Sequence, residues 1–201
     1  IVNIMSYIIG GDFLKTVGPI RDKRQIELVK MYLKNKNIRD YLMFVMGINC
    51  NLRIGDLLRL KVSDVWKGRK CNEYIELSEQ KTGKFKKVKI NESMERAIKE
   101  YIKEVAPKKE DFLFKSTRGK NKPISRQQAH YILSTAGDYC GLEEPLAPHS
   151  LRKTWGYWAW KNGISLVLIM EALNHSSISI TKRYLGITQE DIDNVYINLN
   201  L

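Results

Sequence analysis

Asn51-Leu52-Arg53-Ile54-Gly55-Asp56-Leu57-Leu58-Arg59-Leu60-Lys61-Val62-Ser63-Asp64-Val65 follows directly on an apolar run from Arg39 to Ile48. Asn tolerates the left-handed backbone conformation that ends a helix, so Asn51 is read as the stop of one helix and Arg53 as the opening of the next. The second helix is expected over Arg53 to Leu60, with Leu57 and Leu60 turned inward. An Arg followed three residues later by an Asp is either a surface ion pair or a phosphate clamp held by a carboxylate. The local sequence does not decide between them.

Upstream, Arg21 to Lys36 carries Ile26, Val29 and Leu33 on one helical face. Downstream the period changes. Glu73 to Ser78 and Lys84 to Ile90 have strand-like composition and flank the turn Glu79-Gln80-Lys81-Thr82-Gly83, which predicts a β-hairpin. Helices are expected again at Glu92 to Val105 and at Ser125 to Cys140, where Ser125 is a natural N-cap. Beyond Pro145 and Pro148 come an aromatic helix from Ser150 to Lys161, then helices at Ser165 to Leu173, around Ile178 to Leu185, and from Gln189. The fold class is mainly α with a small antiparallel β-sheet (α+β).

The 201 residues carry 34 basic against 22 acidic side chains, a net charge of +12. That surplus points to a polyanionic partner, most often nucleic acid. Lys61 to Ile90 holds nine Lys or Arg against four acids, and Pro107 to His130 seven against two. Gly186 to Leu201 has three acids and no base, which suits a segment that touches protein. Three widely spaced cysteines, Cys50, Cys71 and Cys140, give no disulfide framework and suggest a reduced, intracellular setting. The three histidines do not pair with them at zinc-ligand spacing, so no metal or other cofactor is expected. No apolar run is long enough to cross a membrane.

His149-Ser150-Leu151-Arg152 begins just after Pro148, at a helix start. Residues three apart share a helix face, and the free N–H groups of that end favour an anion. Arg152 adds a planar fork suited to phosphate oxygens. The three tryptophans and Tyr157 of this helix read as buried core rather than as a base-stacking platform.

Taken together, five stretches resemble the tyrosine recombinase (phage integrase) family. Residues 52 to 65 are similar to its first arginine box, His149-Ser150-Leu151-Arg152 to its His-x-Leu-Arg box, and Leu173-Asn174-His175 to its Leu-Gly-His box. Thr181-Lys182-Arg183-Tyr184 is similar to its terminal Thr-x-x-Tyr, and Lys81-Thr82-Gly83 to the hairpin bearing its catalytic lysine. They occur in family order, 28 residues apart from Arg53 to Lys81, 23 from Arg152 to His175, and nine from His175 to Tyr184. Two positions depart from the pattern, Asn51 and Asn174 standing where the family usually has Gly. Asn is the best substitute for Gly where a helix end needs positive φ. Asp56 stands for the commoner Glu, which shortens the carboxylate's reach toward Arg53.

The resemblance implies a site-specific recombinase that cleaves and rejoins DNA through a 3′-phosphotyrosyl link. Tyr184 would be the nucleophile, Arg53 and Arg152 the clamp on the phosphate oxygens, and His149 would assist proton transfer at Tyr184. Lys81 would protonate the leaving 5′ oxygen, with Lys84 on the same hairpin as its rival, and His175 would donate to the phosphate. The alternatives are type IB topoisomerase-like strand passage or a non-catalytic DNA-binding module. The expected organisation is a linker or N-terminal extension at 1–20, a catalytic domain at 21–186, and a tail at 187–201. The tail would dock through Ile192, Val195 and Tyr196 on a neighbouring protomer. Expected partners are double-stranded DNA and a homo-tetramer on paired sites, with a monomer possible when free. The expected location is the cytoplasm of a prokaryote, on its nucleoid. Lys84, Lys86 and Lys87 are expected to face DNA.

Overall fold

A computed structural model describes residues 17–199, the side chain of Val195 excepted. Most of the expected N-terminal extension, residues 1–16, and the last two tail residues lie outside it. Among the described residues, ten helices and one two-stranded sheet follow in the order α1 (Lys23–Lys36), α2 (Ile38–Cys50), α3 (Ile54–Leu58), α4 (Val62–Val65), β1 (Tyr74–Ser78), β2 (Phe85–Lys89), α5 (Glu92–Val105), α6 (Arg126–Tyr139), α7 (Pro148–Lys161), α8 (Leu166–Leu173), α9 (Ile178–Leu185) and α10 (Gln189–Asn198).

The centre is α2, whose run Leu42-Met43-Phe44-Val45-Met46 is buried on every side. Such a helix is not amphipathic and must be surrounded; α1, α5 and α7 pack around it. Gly47 lets α7 come close, because a Cβ there would sit 2.4 Å from Leu151 Cδ1. Asn37 serves two helices at once. Its N–H closes α1 on the Leu33 carbonyl, and its side chain accepts from the Arg39 N–H at the start of α2.

The hairpin pairs antiparallel from Tyr74↔Lys89 to Ser78↔Phe85. Gly83, at φ +67°, completes the five-residue turn as expected. The helix expected over Arg53 to Leu60 ends two residues early. Leu60 and Val62 are drawn into main-chain bonds with Leu113 and Asp111, and α4, which the sequence pattern did not reveal, starts there.

Two apolar clusters result. The main core includes α2, Leu151 and, packed on it, Trp158. A small second cluster of Ile169, Leu173 and Leu185 is flanked by Trp155, Trp160 and Tyr184. The aromatic side chains of α7 are therefore packing residues, and Trp158 Nε1 also donates to the Ile20 carbonyl. Among the described residues, no helix is long and apolar enough to cross a membrane.

Candidate active site

All six candidate residues, Arg53, Lys81, His149, Arg152, His175 and Tyr184, line one cavity of about 760 Å³. Different local devices deliver each one. Asn51 ends α2 at φ 53°, and Arg53 leaves that turn extended to open α3. Pro148 is the first residue of α7, which puts His149 and Arg152 in its first turn and a half. Asn174 ends α8, also at φ 53°, and releases His175 into the cavity. Tyr184 lies near the end of α9, whose C-cap is Gly186 at φ 66°. Lys81 sits exposed at the hairpin tip and lines the cavity, whereas Lys84 does not.

The partner of Arg53 differs from the one expected. Asp56 is buried and accepts instead from the Gln80 N–H at 2.9 Å, fixing the hairpin turn against α3. Arg53 Nη1 pairs with Glu79 Oε2 at 2.6 Å. Burial pushes the Glu79 carboxyl up, but Arg53, the Thr82 hydroxyl and Lys86 outweigh it and hold the group below the usual carboxylate range.

Lys86 also departs from expectation. Its ammonium is nearly buried and donates to the carbonyls of Asn51 (2.9 Å) and Ala172 (3.2 Å), so it is turned into the protein rather than out to the surface. Burial, reinforced by the charge of Arg152, lowers its pKa to about 8. Lys87 pairs across the hairpin with Glu76 at 2.8 Å. The alternation of β2 holds the signal for Lys86: it shares a strand face with Val88.

Arg152 is 5% exposed, and its Nη2 donates to the Leu173 carbonyl. Its Nη1 and the Tyr184 hydroxyl are buried and have no hydrogen-bond partner among the described residues. Burial raises the Tyr184 pKa, and the charges of Arg152 and Arg53 offset part of that. His149 moves the other way: burial, then Lys153, Arg152 and Lys81, lower it. His175 is lowered by burial and the two arginines. Its Nδ1 lies 3.1 Å from Thr181 Oγ1, and its ring meets that of Tyr184 edge-on at 4.9 Å. At neutral pH the site thus holds a protonated phenol beside uncharged imidazoles. Arg126, which reaches Gln80 Oε1 at 3.2 Å, also lines the cavity and had not been singled out from the sequence.

A profile described as the Phage integrase family matches residues 21–190. A Bacillus subtilis (strain 168) protein named "Probable integrase/recombinase YoeC" is 46% identical over 174 residues, 87% of this chain and 92% of that protein. The Listeria innocua serovar 6a protein named "Tyrosine recombinase XerD" is 27% identical over 165 residues, 79% of this chain but only 54% of that one. Among solved structures, that of XerA recombinase superposes with a TM-score of 0.74 at 20% identity, covering 92% of this chain and 65% of that chain. A XerH recombinase bound to palindromic difH substrate, in a post-cleavage complex, gives 0.69 at 19%, covering 94% and 55%. Those likenesses extend the agreement to the fold, mostly helical with a small antiparallel sheet. On the match over 170 of its residues and the 46% identity with the Bacillus protein, the chain belongs to the phage integrase family, the tyrosine-type site-specific recombinases.

Proposed function

We propose that this chain cleaves one strand of duplex DNA with Tyr184 and rejoins it to another. The observation that carries the reading is the convergence of six chemically matched side chains, from five separate stretches of sequence, on one cavity. Three of them bury polar atoms without a hydrogen-bond partner among the described residues, Arg152 Nη1, Tyr184 Oη and Arg53 Nη1, the last having only its ion-pair contact with Glu79. Buried polar atoms of that kind find partners, and a phosphodiester offers them.

In the proposed step Tyr184 Oη forms a bond to phosphorus and the P–O5′ bond breaks. The phenolic proton goes to neutral His149, and Lys81 supplies a proton to the departing O5′. Arg53 and Arg152 hold the non-bridging oxygens, where negative charge grows in the transition state. The Thr181 hydroxyl lies within reach of both the Ser177 carbonyl (3.2 Å) and His175 Nδ1 (3.1 Å); in the proposed step it turns its proton to Nδ1, which leaves the proton of His175 on Nε2 for the phosphate. Attack by a second 5′-hydroxyl reverses the sequence, so the exchange needs no external energy source.

The catalytic unit of this proposal is residues 21–186, and its setting is the nucleoid of a prokaryotic cytoplasm. The tail acts in a homo-tetramer that joins two sites. Ile192, Tyr196 and Ile197 of α10 are 38%, 76% and 71% exposed, which leaves an apolar strip without a partner among the described residues. At the start of α8, Val167 and Leu168 are exposed as well. A second copy's α10 laid on that surface buries both strips, in the manner of a helix in a groove.

The deciding experiment is incubation with a nicked suicide duplex followed by a denaturing gel. The wild-type chain is expected to form a covalent adduct. Tyr184→Phe is expected to bind DNA normally and form none. An adduct that persists in Tyr184→Phe would reassign the nucleophile.

A further inference from the structure

Glu79 is 1% exposed, and the steps proposed above make no use of it. A buried carboxylate is costly unless it is paired and hydrogen-bonded, and Glu79 is both. Its Oε2 lies 2.6 Å from Arg53 Nη1, accepts from the Thr82 hydroxyl at 2.8 Å, and accepts from Asn174 Nδ2 at 3.1 Å. Its Oε1 lies 3.7 Å from the Lys86 ammonium. Its main chain closes the hairpin turn as well, the N–H donating to the Lys84 carbonyl and the carbonyl accepting from the Gly83 N–H.

One side chain thus touches the arginine at the head of α3, the turn that carries Lys81, and the residue that precedes His175. We infer that Glu79 is a positioning residue, whose carboxylate orients Arg53 and registers the Lys81 turn and the His175 segment to it. The inference rests on the recombinase reading above. The charge matters as much as the shape. Arg53 and Lys86 both border this carboxylate, and without it two cations are left facing each other across the space it fills. Arg53 then has no fixed anchor on the protein side, and a clamp displaced by about an ångström loses on the order of a hundredfold in rate.

Glu79→Gln keeps the volume and an oxygen for Thr82 and Asn174, and removes only the charge. On the nicked duplex, single-turnover adduct formation by Glu79→Gln is expected to fall roughly a hundredfold, with DNA affinity unchanged and the thermal midpoint lowered, since Arg53 and Lys86 lose their buried counter-charge. Glu79→Asp, which restores the charge at shorter reach, is expected to recover part of the rate. In an Arg53→Ala background Glu79→Gln should cause no further loss, because the carboxylate acts through that arginine. Should Glu79→Gln fail to fold, Asn174→Gly carries the comparison: it keeps the left-handed turn, removes the amide donated to Oε2, and should slow cleavage at unchanged affinity. A wild-type rate in Glu79→Gln, or a loss of affinity in proportion to the loss of rate, would overturn the positioning role. So would equal slowing with and without Arg53. If the wild-type chain forms no adduct, the recombinase reading falls and the inference with it; an active wild type with an indifferent Glu79 counts against Glu79 alone.

Discussion

The side-chain amide of Asn51 donates to the main-chain carbonyl of Ala172 at 2.8 Å, across 121 residues of sequence. The two helix ends that carry Arg53 and His175 therefore meet. Lys86 donates to the Asn51 and Ala172 carbonyls from the hairpin side and locks the junction. A left-handed helix end accepts Gly at no steric cost, but only Asn provides the amide that spans this gap.

Asn51→Gly is accordingly expected to destabilise the protein by about 1 kcal/mol, the net worth of one hydrogen bond. The Ala172 carbonyl keeps its bond from Lys86, so no acceptor is orphaned. Asn51→Ala is expected to cost about 1–2 kcal/mol more, since its Cβ strains the positive-φ turn. Urea unfolding gives the order wild type, Gly, Ala; equal stability of Gly and wild type would show that the cross-link contributes nothing.

Gly47→Ala sets two effects against each other. Helix propensity favours Ala by roughly 1 kcal/mol, but its Cβ would lie 2.4 Å from Leu151 Cδ1 and 3.2 Å from Leu151 Cβ. Overpacking of that kind costs about 1–3 kcal/mol and is expected to win. Leu151 stands between His149 and Arg152, so α7 moves and cleavage slows as well. A more stable, fully active Gly47→Ala would refute the close approach.

Lys81→Ala is expected to slow cleavage of ordinary DNA and to recover when the 5′ bridging atom is sulfur, because a thiolate leaves without being protonated. Lys84→Ala should leave both substrates nearly unaffected, as that side chain does not line the cavity. The opposite pattern in a gel assay would give the proton to Lys84.

For pH, His149 and His175 are both held below their ordinary 6.5 by burial and nearby cations. The unfolded chain therefore binds more protons as pH falls through 6.5, and stability declines there, while above 6.5 these two groups contribute no slope. Cleavage should follow, since in the proposed step His149 takes the phenolic proton and must be neutral to do so. Lys86 acts at the other end: lowered from 10.5 to about 8, it makes stability rise between those values. Cys50, raised from 9.0 to about 11, opposes it from pH 9 upward. Thermal midpoints at pH 5.5, 7.0 and 8.5 in wild type and Lys86→Met test both slopes, and the rise above pH 8 should vanish in the variant.

The sequence was legible wherever a local device carried the information. The two Asn helix stops, Pro148 at the head of α7, the Ser125 cap and the Gly83 turn each announce themselves within a few residues. What stayed hidden depends on contacts between distant segments. Asp56 sits three residues from Arg53 on the chain, yet Glu79, 26 residues away, reaches the guanidinium because the hairpin folds back over α3. The short α4 depends on main-chain bonds that its Val62 and Ser63 N–H groups donate to the Asp111 and Lys109 carbonyls, which no periodicity reports. Lys86 could have been placed from the period of β2, but a run of lysines in a basic protein invites a surface reading.

The small second cluster behind Tyr184 has a mechanical corollary. Only Ile169, Leu173 and Leu185 are fully sealed there, against the broad core around α2. A unit with so little buried area separates from its neighbours at lower free energy than the whole domain unfolds. Tyr184 therefore rides on this lightly sealed unit, while the helix starts that carry Arg53 and Arg152 belong to the broad core and Arg152 reaches across to the unit through the Leu173 carbonyl. Amide hydrogens of α8 and α9 should exchange with solvent ahead of those of α2.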